Sequence, residues 1–444
     1  MRRKLSHAQI IALGFLLVIL AGTLLLLLPA SAKSGESAGF LTAFFTAVSA
    51  SCVTGLVVVD TGTYWSALGQ VVILVMIQIG GLGFMTISTL FFRLIRRRVS
   101  MQEKAVMAES INSVQIGRIM TLTRLIGTGT LIIELVGAAL LALRFVPQLG
   151  PGRGLWFALF HSVSAFCNAG FDLLGSVYRP FCSFVPYSAD ALVALTLSAL
   201  IVIGGIGFLV WDDVLRHFRD PRRYMLHTKV TLAFTRILII GGALLFFIFE
   251  RRGMNADMPL GEQLLVSLFS AVTPRTAGFN TVDTAALSPA SKLLTMMLMF
   301  IGGSSGSTAG GVKTTTAAVL LMSLIAMIRG RRCVYVYGRR IPDDALKRAA
   351  CITSVNLLLA LAGALVILGA QPLAFSDILF EVFSAIGTVG MSTGVTRSLA
   401  PLSLCVISLL MFCGRVGSVS FALALLERRA EPPVTYPEEQ ITVG

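Results

Sequence analysis

Of 444 residues, 55% are hydrophobic and only 13% charged, and the net charge is +14. A soluble domain carries about 25% charged residues, so this composition excludes a water-soluble globular protein and defines a polytopic membrane chain. The positive excess sits in short connections between apolar runs, which is a topology signal and argues against a nucleic-acid surface.

Eight apolar stretches are long enough, alone or with neighbours, to span about 30 Å of hydrocarbon. They run from Ile10 to Leu28, Leu68 to Phe92, Leu125 to Leu143, Leu192 to Val210, Val230 to Phe249, Leu293 to Ile328 with an interruption, Val355 to Ile367, and Pro401 to Leu426. Met1-Arg2-Arg3-Lys4 ahead of the first run resembles a signal peptide, but the run is about twice the usual apolar region and opens a repeat, so it reads as a retained helix. Basic residues crowd into 93–124, 216–229 and 329–348. The excess of Lys and Arg places these loops and both termini in the cytoplasm.

Between the apolar runs lie four short, half-apolar segments, each too short to cross a bilayer and each ending in a glycine turn. Phe40 to Ser51 leads to Cys52-Val53-Thr54-Gly55, and Trp156 to Phe166 leads to Asn168-Ala169-Gly170-Phe171. Leu264 to Val272 leads to Thr276-Ala277-Gly278-Phe279, and Ile378 to Ile386 leads to Thr388-Val389-Gly390-Met391. The glycines recur at about a quarter of the chain, the mark of an internal repeat. Asn168 stands where repeats three and four have threonine, and Thr54-Gly55 lacks the intervening small residue.

A second signature follows each turn in the same order: Gly80-Gly81-Leu82-Gly83, Gly204-Gly205-Ile206-Gly207, Gly302-Gly303-Ser304-Ser305-Gly306 and Gly414-Arg415-Val416-Gly417. The chain therefore divides into repeat one (1–98), repeat two (116–220), repeat three (228–330), repeat four (343–429) and a tail (430–444). The expected fold is an all-α polytopic membrane protein of four tandem helix, pore-loop, helix repeats around a pseudo-four-fold pore. Extended backbone at membrane depth is tolerated only where it lines a wet cavity, so four re-entrant loops in register enclose a pore. Glycine permits the positive φ that turns carbonyls inward, and the short helices aim their negative C-terminal ends at the axis. Rings of carbonyl oxygen replace the hydration shell of a monovalent cation.

The second helix of repeat three is interrupted from Gly302 to Thr316. Glycines 302, 303, 306, 310 and 311 fall within ten residues, and at about 1 kcal/mol each relative to alanine they do not stay helical. The segment superficially resembles a phosphate-binding loop, but Val312 separates Gly311 from Lys313 and the motif spacing fails by one. A flexible intramembrane constriction, whose hydroxyls and Lys313 meet or bar an ion, fits better. Arg415 stands mid-helix where the other repeats have glycine, and a guanidinium there must face a wet cavity or a carbonyl cluster. It either raises a barrier to cations, anchors the loop of repeat three, or pairs with helix-end carbonyls. Arg275 has carboxylates such as Asp283 or Glu262 as expected partners.

Intramembrane carboxylates are scarce, with Glu134 alone in a span interior, which argues against a proton-coupled carrier. Glu134 reads as a helix–helix contact and His161 as a hydrogen-bonded packing residue. Cysteines 52, 167, 182, 333, 351, 405 and 413 form no CxxC pair and read as packing, not metal ligands.

These motifs resemble the Trk/Ktr/HKT superfamily of potassium transporters: the repeats themselves, Thr273-Pro274-Arg275-Thr276-Ala277-Gly278-Phe279-Asn280, the run from Gly302 to Thr314, and Arg415. The resemblance spans residues 8–427, and the short start before repeat one is most like the bacterial Ktr-type membrane subunit (the KtrB type). It implies a selectivity filter at Thr54, Gly55, Asn168, Ala169, Gly170, Thr276, Ala277, Gly278, Thr388, Val389 and Gly390, with K+ at the carbonyls of the four glycines. It implies a gate formed by Gly302, Gly303, Ser304, Ser305, Gly306, Gly310, Gly311 and Lys313, with Arg415 opposite. It further implies a homodimer in the bacterial cytoplasmic (inner) membrane, passive or sodium-assisted potassium uptake, no enzymatic activity, and a cytoplasmic KtrA-like ring that binds ATP or ADP. This chain carries no nucleotide or cofactor site of its own. A secondary carrier for another cation or small solute, with discontinuous helices at the midplane, is the alternative.

Overall fold

The computed structural model describes residues 7–83 and 119–417. The basic residues at 93–118, the N-terminal cluster, the ends of the second and eighth apolar stretches and the 430–444 tail lie outside the described residues. The described chain is mostly helical, with one two-stranded hairpin of β1 (Tyr335–Val336) and β2 (Arg339–Arg340).

Among the described residues, four helices are long and apolar enough to cross a membrane on their own: α1 (His7–Leu26), α5 (Ile119–Leu149), α9 (Leu226–Glu250) and α13 (Asp343–Ala370). At 1.5 Å rise per residue, even the 20 residues of α1 reach about 30 Å. Their outer faces carry large exposed side chains such as Leu24, Ile240 and Leu365. Such a continuous apolar surface is stable against hydrocarbon and not against water.

Each long helix is followed by a short one: α2 (Phe40–Ser51), α6 (Pro151–Phe166), α10 (Leu260–Val272) and α14 (Phe375–Gly387). Unlike the long helices, these are buried along most of their C-terminal halves. Three of them begin earlier than the apolar run predicts, because the first turn is set by backbone chemistry. Pro151 occupies the first position of α6 and Pro259 caps α10, where the missing N–H costs no helical bond. Gly154 then lets α6 approach the backbone of Phe145 and Val146 at the end of α5.

The outgoing elements are α4 (Ala67–Leu82), α7 (Ala191–Gly205), α11 (Pro289–Phe300) and α15 (Pro401–Val416), with α3 (Thr61–Tyr64) a single turn ahead of α4. Ser66, Asp190 and Ser288 cap the first three by accepting the N–H of Gly69, Val193 and Ser291. Three of the four stop at a positive-φ glycine region: Gly83 (φ 82), Gly207 (φ 99) and Gly417 (φ 96).

The stretch from Leu192 to Val210 is not one straight span. The chain bends 93° between α7 and α8 (Phe208–Arg216), because Gly207 adopts a left-handed conformation and the Phe208 N–H leaves the helix to donate to Gly306 O at 2.7 Å. The interruption between Leu293 and Ile328 is present, separating α11 from α12 (Thr314–Ile328), but it ends earlier than expected: residues 314–316 form the first turn of α12 and are not loop. Behind the site, Phe145 of α5, Phe160 and Phe166 of α6, and Phe184 are fully buried in the largest apolar cluster.

Candidate functional site

The four glycine turns, far apart in sequence, meet in a closed ring. A Cβ on Gly170 would lie 2.7 Å from Ala277 O and 3.1 Å from Gly278 Cα, and one on Gly278 would meet Val389 O and lie 3.2 Å from Gly390 Cα. One on Gly390 would meet Thr54 O and lie 2.9 Å from Gly55 Cα, and one on Gly55 would meet Ala169 O and lie 3.1 Å from Gly170 Cα. The order 55, 170, 278, 390 thus returns to its start. Each glycine also has a positive φ, between 70° and 94°, so a side chain at any of them is strained and displaces a neighbouring carbonyl.

Two residues before each glycine a second left-handed residue occurs: Val53 (φ 56), Asn168 (φ 58), Thr276 (φ 72) and Thr388 (φ 51). The residues between, Thr54, Ala169, Ala277 and Val389, keep ordinary φ and are fully buried. Alternation of hand along three residues brings successive carbonyls to one side of the strand. The structure corrects the register of the first turn. Val53, not Thr54, is the counterpart of Asn168, Thr276 and Thr388, and Thr54 fills the intervening place that appeared to be missing.

A β-branched residue at positive φ costs on the order of 1–3 kcal/mol and persists only where surroundings hold it. Ser49 does so in the first turn, its carbonyl accepting Thr54 N–H at 2.8 Å and its hydroxyl accepting Gly55 N–H at 3.1 Å. Ser384 repeats both contacts for Val389 and Gly390, at 2.8 and 3.1 Å. In the other two turns, Ser164 and Thr273 hydroxyls donate instead to Phe171 O at 2.8 Å and Phe279 O at 2.6 Å. These supports were not among the predicted site residues, although a hydroxyl five or six places ahead of each glycine is visible in sequence. Asn168 is satisfied when its amide nitrogen donates to Ala165 O and Ile201 O and its oxygen accepts Thr276 Oγ1 at 3.1 Å, which ties turn two to turn three.

One side of the ring opens into a cavity of about 340 Å3 whose lining includes the four glycines, Asp60, Asp172, Asp283, Arg179 and Arg397. Asp60 is fixed by the N–H groups of Thr63 and Phe181, both at 2.8 Å. Burial and, secondly, the charge of Asp60 push the Asp172 carboxyl up to about 7. Arg397 stacks on Phe181 with 4.4 Å to the ring centroid. Glu381 on α14 is almost fully buried and accepts from the hydroxyls of Ser392 and Thr396 and from Thr393 N–H. It organises the loop after the fourth turn, a role its place at the edge of an apolar run did not suggest.

On the opposite side lies the loop between α11 and α12. It is non-helical, as its glycines require, but it is not slack. An isolated bridge between Ile301 and Val312 closes its neck. Ser304 N–H donates to Gly205 O at 2.8 Å, Thr308 N–H to Gly204 O at 3.3 Å, and Thr314 N–H to Gly303 O at 3.0 Å. Hydroxyls of Ser304 and Thr314 pair at 2.7 Å, and those of Ser305 and Thr315 at 3.3 Å. Gly306 O receives Phe208 N–H, as above, and Lys313 Nζ turns back to Ala309 O at 2.7 Å. Gly302 packs against the Thr276 methyl, Gly310 against the Thr388 side chain, and Gly311 (φ 65) against Gly387. The loop therefore lies directly beneath turns three and four.

Arg415 joins this loop to α4. Its Nη1 donates to Thr308 O, and its Nη2 donates to Gly80 O and, at 3.0 Å, to Gly81 O. The last carbonyls of a helix lack intrahelical partners and carry its negative end, so they suit a guanidinium. Loop anchoring and helix-end pairing are thus performed by one side chain. Arg275 departs from expectation: it is buried, Nη2 reaches Thr235 Oγ1 at 3.4 Å, and neither Asp283 nor Glu262 pairs with it among the described ion pairs.

Glu134 accepts Gln78 Nε2 at 3.1 Å and the Cys167 thiol at 3.8 Å, joining α5 to α4 and α6 as a helix–helix contact. His161 is fully buried among Phe145, Phe157, Phe160 and Phe184. Its Nδ1–H donates to Phe157 O at 2.8 Å and Nε2 accepts Leu173 N–H at 3.1 Å, so it packs and orients the second turn. Among the described residues, no group of three or more His, Cys, Asp or Glu is placed to hold a metal ion.

Apolar helices long enough to cross a bilayer, gathered around a closed ring of main-chain turns, define a helical membrane protein of the transporter class. The chain belongs to the TrkH family, described as cation transport proteins, which it matches over residues 4–429. It is 42% identical over 450 residues to the potassium/sodium uptake protein NtpJ of Enterococcus hirae, a match covering 100% of this chain and 98% of that one. It is 37% identical over 443 residues to the Ktr system potassium uptake protein B of Bacillus subtilis, covering 99% and 97%. The crystal structure of the potassium transporter TrkH from Vibrio parahaemolyticus shares the fold, with a TM-score of 0.73 at 18% identity over 96% of this chain and 86% of that one. The transporter relatives identify a Ktr-like member of the Trk/Ktr superfamily, not an enzyme.

Proposed function

We propose that this chain takes up potassium across a bacterial cytoplasmic membrane as the ion-translocating subunit of a Ktr-type system. The closed ring of Gly55, Gly170, Gly278 and Gly390, with backbone hand alternating through each turn, carries the reading. Carbonyls aimed at a common axis substitute for the hydration shell of a monovalent cation, and the four short helices add their negative ends. The vestibule faces outward, and its carboxylates Asp60, Asp172 and Asp283 outnumber Arg179 and Arg397 by one, a small excess that favours cations at the mouth. The loop between α11 and α12, together with the first turn of α12 (302–316), is the gate, and the positive charge of Arg415 bars free flow beneath it.

In this reading the four quarters (1–98, 116–220, 228–330 and 343–429) are repeats, eight spans cross the bilayer, and both termini are cytoplasmic. Two copies form a homodimer, each with its own pore, on a cytoplasmic KtrA-like ring whose ATP or ADP sets the gate. Uptake is passive or sodium-assisted, the latter in keeping with the name of the Enterococcus relative, potassium/sodium uptake protein. Rubidium flux into proteoliposomes tests the proposal. Flux competed by potassium supports it; flux indifferent to potassium but competed by an organic solute overturns it in favour of a carrier.

A further inference from the structure

Arg275 immediately precedes the third turn, and its partners do not match its chemistry. A guanidinium offers five N–H donors. Here it is buried, makes one long contact to Thr235 Oγ1 at 3.4 Å, and leaves Nε without an acceptor. A buried cation this short of acceptors favours any rearrangement that supplies them.

Acceptors stand nearby, each already accepting one N–H. A cavity of about 10 Å3, room for roughly one water-sized group, is lined by Arg275, Val272 and the α7 residues Ile201, Val202 and Gly205. Gly204 and Gly205 lie in the last turn of α7, where carbonyls have no intrahelical partner. Gly205 O is occupied by Ser304 N–H and Gly204 O by Thr308 N–H. Both donors belong to the loop proposed as the gate. When that loop moves away, Gly205 O, at the cavity that Arg275 lines, and Gly204 O one residue before it each lose a donor.

We propose that Arg275 is the positioning residue of the open gate. As Ser304 and Thr308 withdraw, its guanidinium crosses the small cavity and donates to the freed carbonyls at the α7 C-terminus. The same helix end is then capped by the loop when closed and by Arg275 when open. Arg415, bound to Thr308 O, does the reverse and holds the closed state. The two arginines therefore bias the gate in opposite directions. This inference rests on the loop being the gate.

The test uses the full chain in cells lacking their own potassium uptake, with rubidium as the probe. Arg275→Met keeps the apolar stem and loses every donor; Arg275→Lys keeps a charge with fewer donors. Removing hydrogen bonds from a charged donor should lower maximal uptake about tenfold or more, with the half-saturating concentration unchanged and Arg275→Lys intermediate. In a background where 302–313 is replaced by a short apolar helix, Arg275→Met should have no further effect. Wild-type maximal uptake in Arg275→Met overturns the proposal, as does an equal loss in the loop-replaced background, which would mark a scaffold for the third turn. If Arg275→Met does not fold, Arg275→Lys decides: a loss that disappears on loop replacement supports the proposal, and wild-type uptake overturns it. Failure of loop replacement itself to raise flux removes the gate reading, an outcome distinct from failure of the Arg275 variants.

Discussion

Gly278→Ser probes the ring most directly. The residue has φ 79, and a Cβ there meets Val389 O and lies 3.2 Å from Gly390 Cα and 3.3 Å from Gly170 Cα. All three neighbours are backbone, so no flexible side chain can yield. The left-handed conformation alone costs a non-glycine residue about 1–2 kcal/mol, and the clash must be relieved by moving turns two and four. If about 1–3 kcal/mol of strain is relieved by displacing the carbonyls, potassium preference over sodium falls roughly five- to a hundredfold at about 1.4 kcal/mol per factor of ten. Gly35→Ser is the matched control, with φ 73 and nothing within 4 Å of its Cβ. It imposes the same backbone penalty far from the ring. Rubidium uptake competed by sodium, normalised to protein in the membrane fraction, gives the ratio. Wild-type selectivity in Gly278→Ser, or an equal loss in Gly35→Ser, refutes the argument that the ring sets ion preference.

Arg415→Ala frees Thr308 O and the carbonyls of Gly80 and Gly81. Basal rubidium flux should rise, while thermal unfolding in detergent shifts down by the loss of bonds worth about 1.5–3 kcal/mol each; unchanged basal flux counts against the latch. Asp172 titrates near 7, its carboxyl raised by burial and by Asp60. It is charged above that pH and neutral below, so uptake at limiting potassium should fall as external pH drops through about 7. Asp172→Asn should flatten that profile at the acidic level, and a profile identical to wild type removes the vestibule charge from the account.

Much of the architecture was legible because it depends on local properties. Hydropathy marks the long helices, and the two recurring glycine signatures mark the turns and helix breaks, since positive φ and chain reversal select glycine wherever they occur. The register of the first turn was not legible: aligning Thr54 with Thr276 and Thr388 follows side-chain identity, whereas backbone hand assigns that place to Val53. The glycines at 204, 205 and 207 mark the break between α7 and α8, but not its 93° bend, because a bond from Phe208 N–H to Gly306 O decides that across about a hundred residues of loop and helix.

Composition and the recurring glycine turns alone pointed to a helical membrane protein with a helix broken between Leu293 and Ile328, because burial in hydrocarbon and glycine's conformational range act residue by residue. Only the tertiary structure decided that the four turns close into one ring, that Arg415 bridges the loop to α4, and that Arg275 is left without a carboxylate. Those outcomes depend on which carbonyls are left unpaired where distant helix ends meet, and no stretch of chain records that by itself.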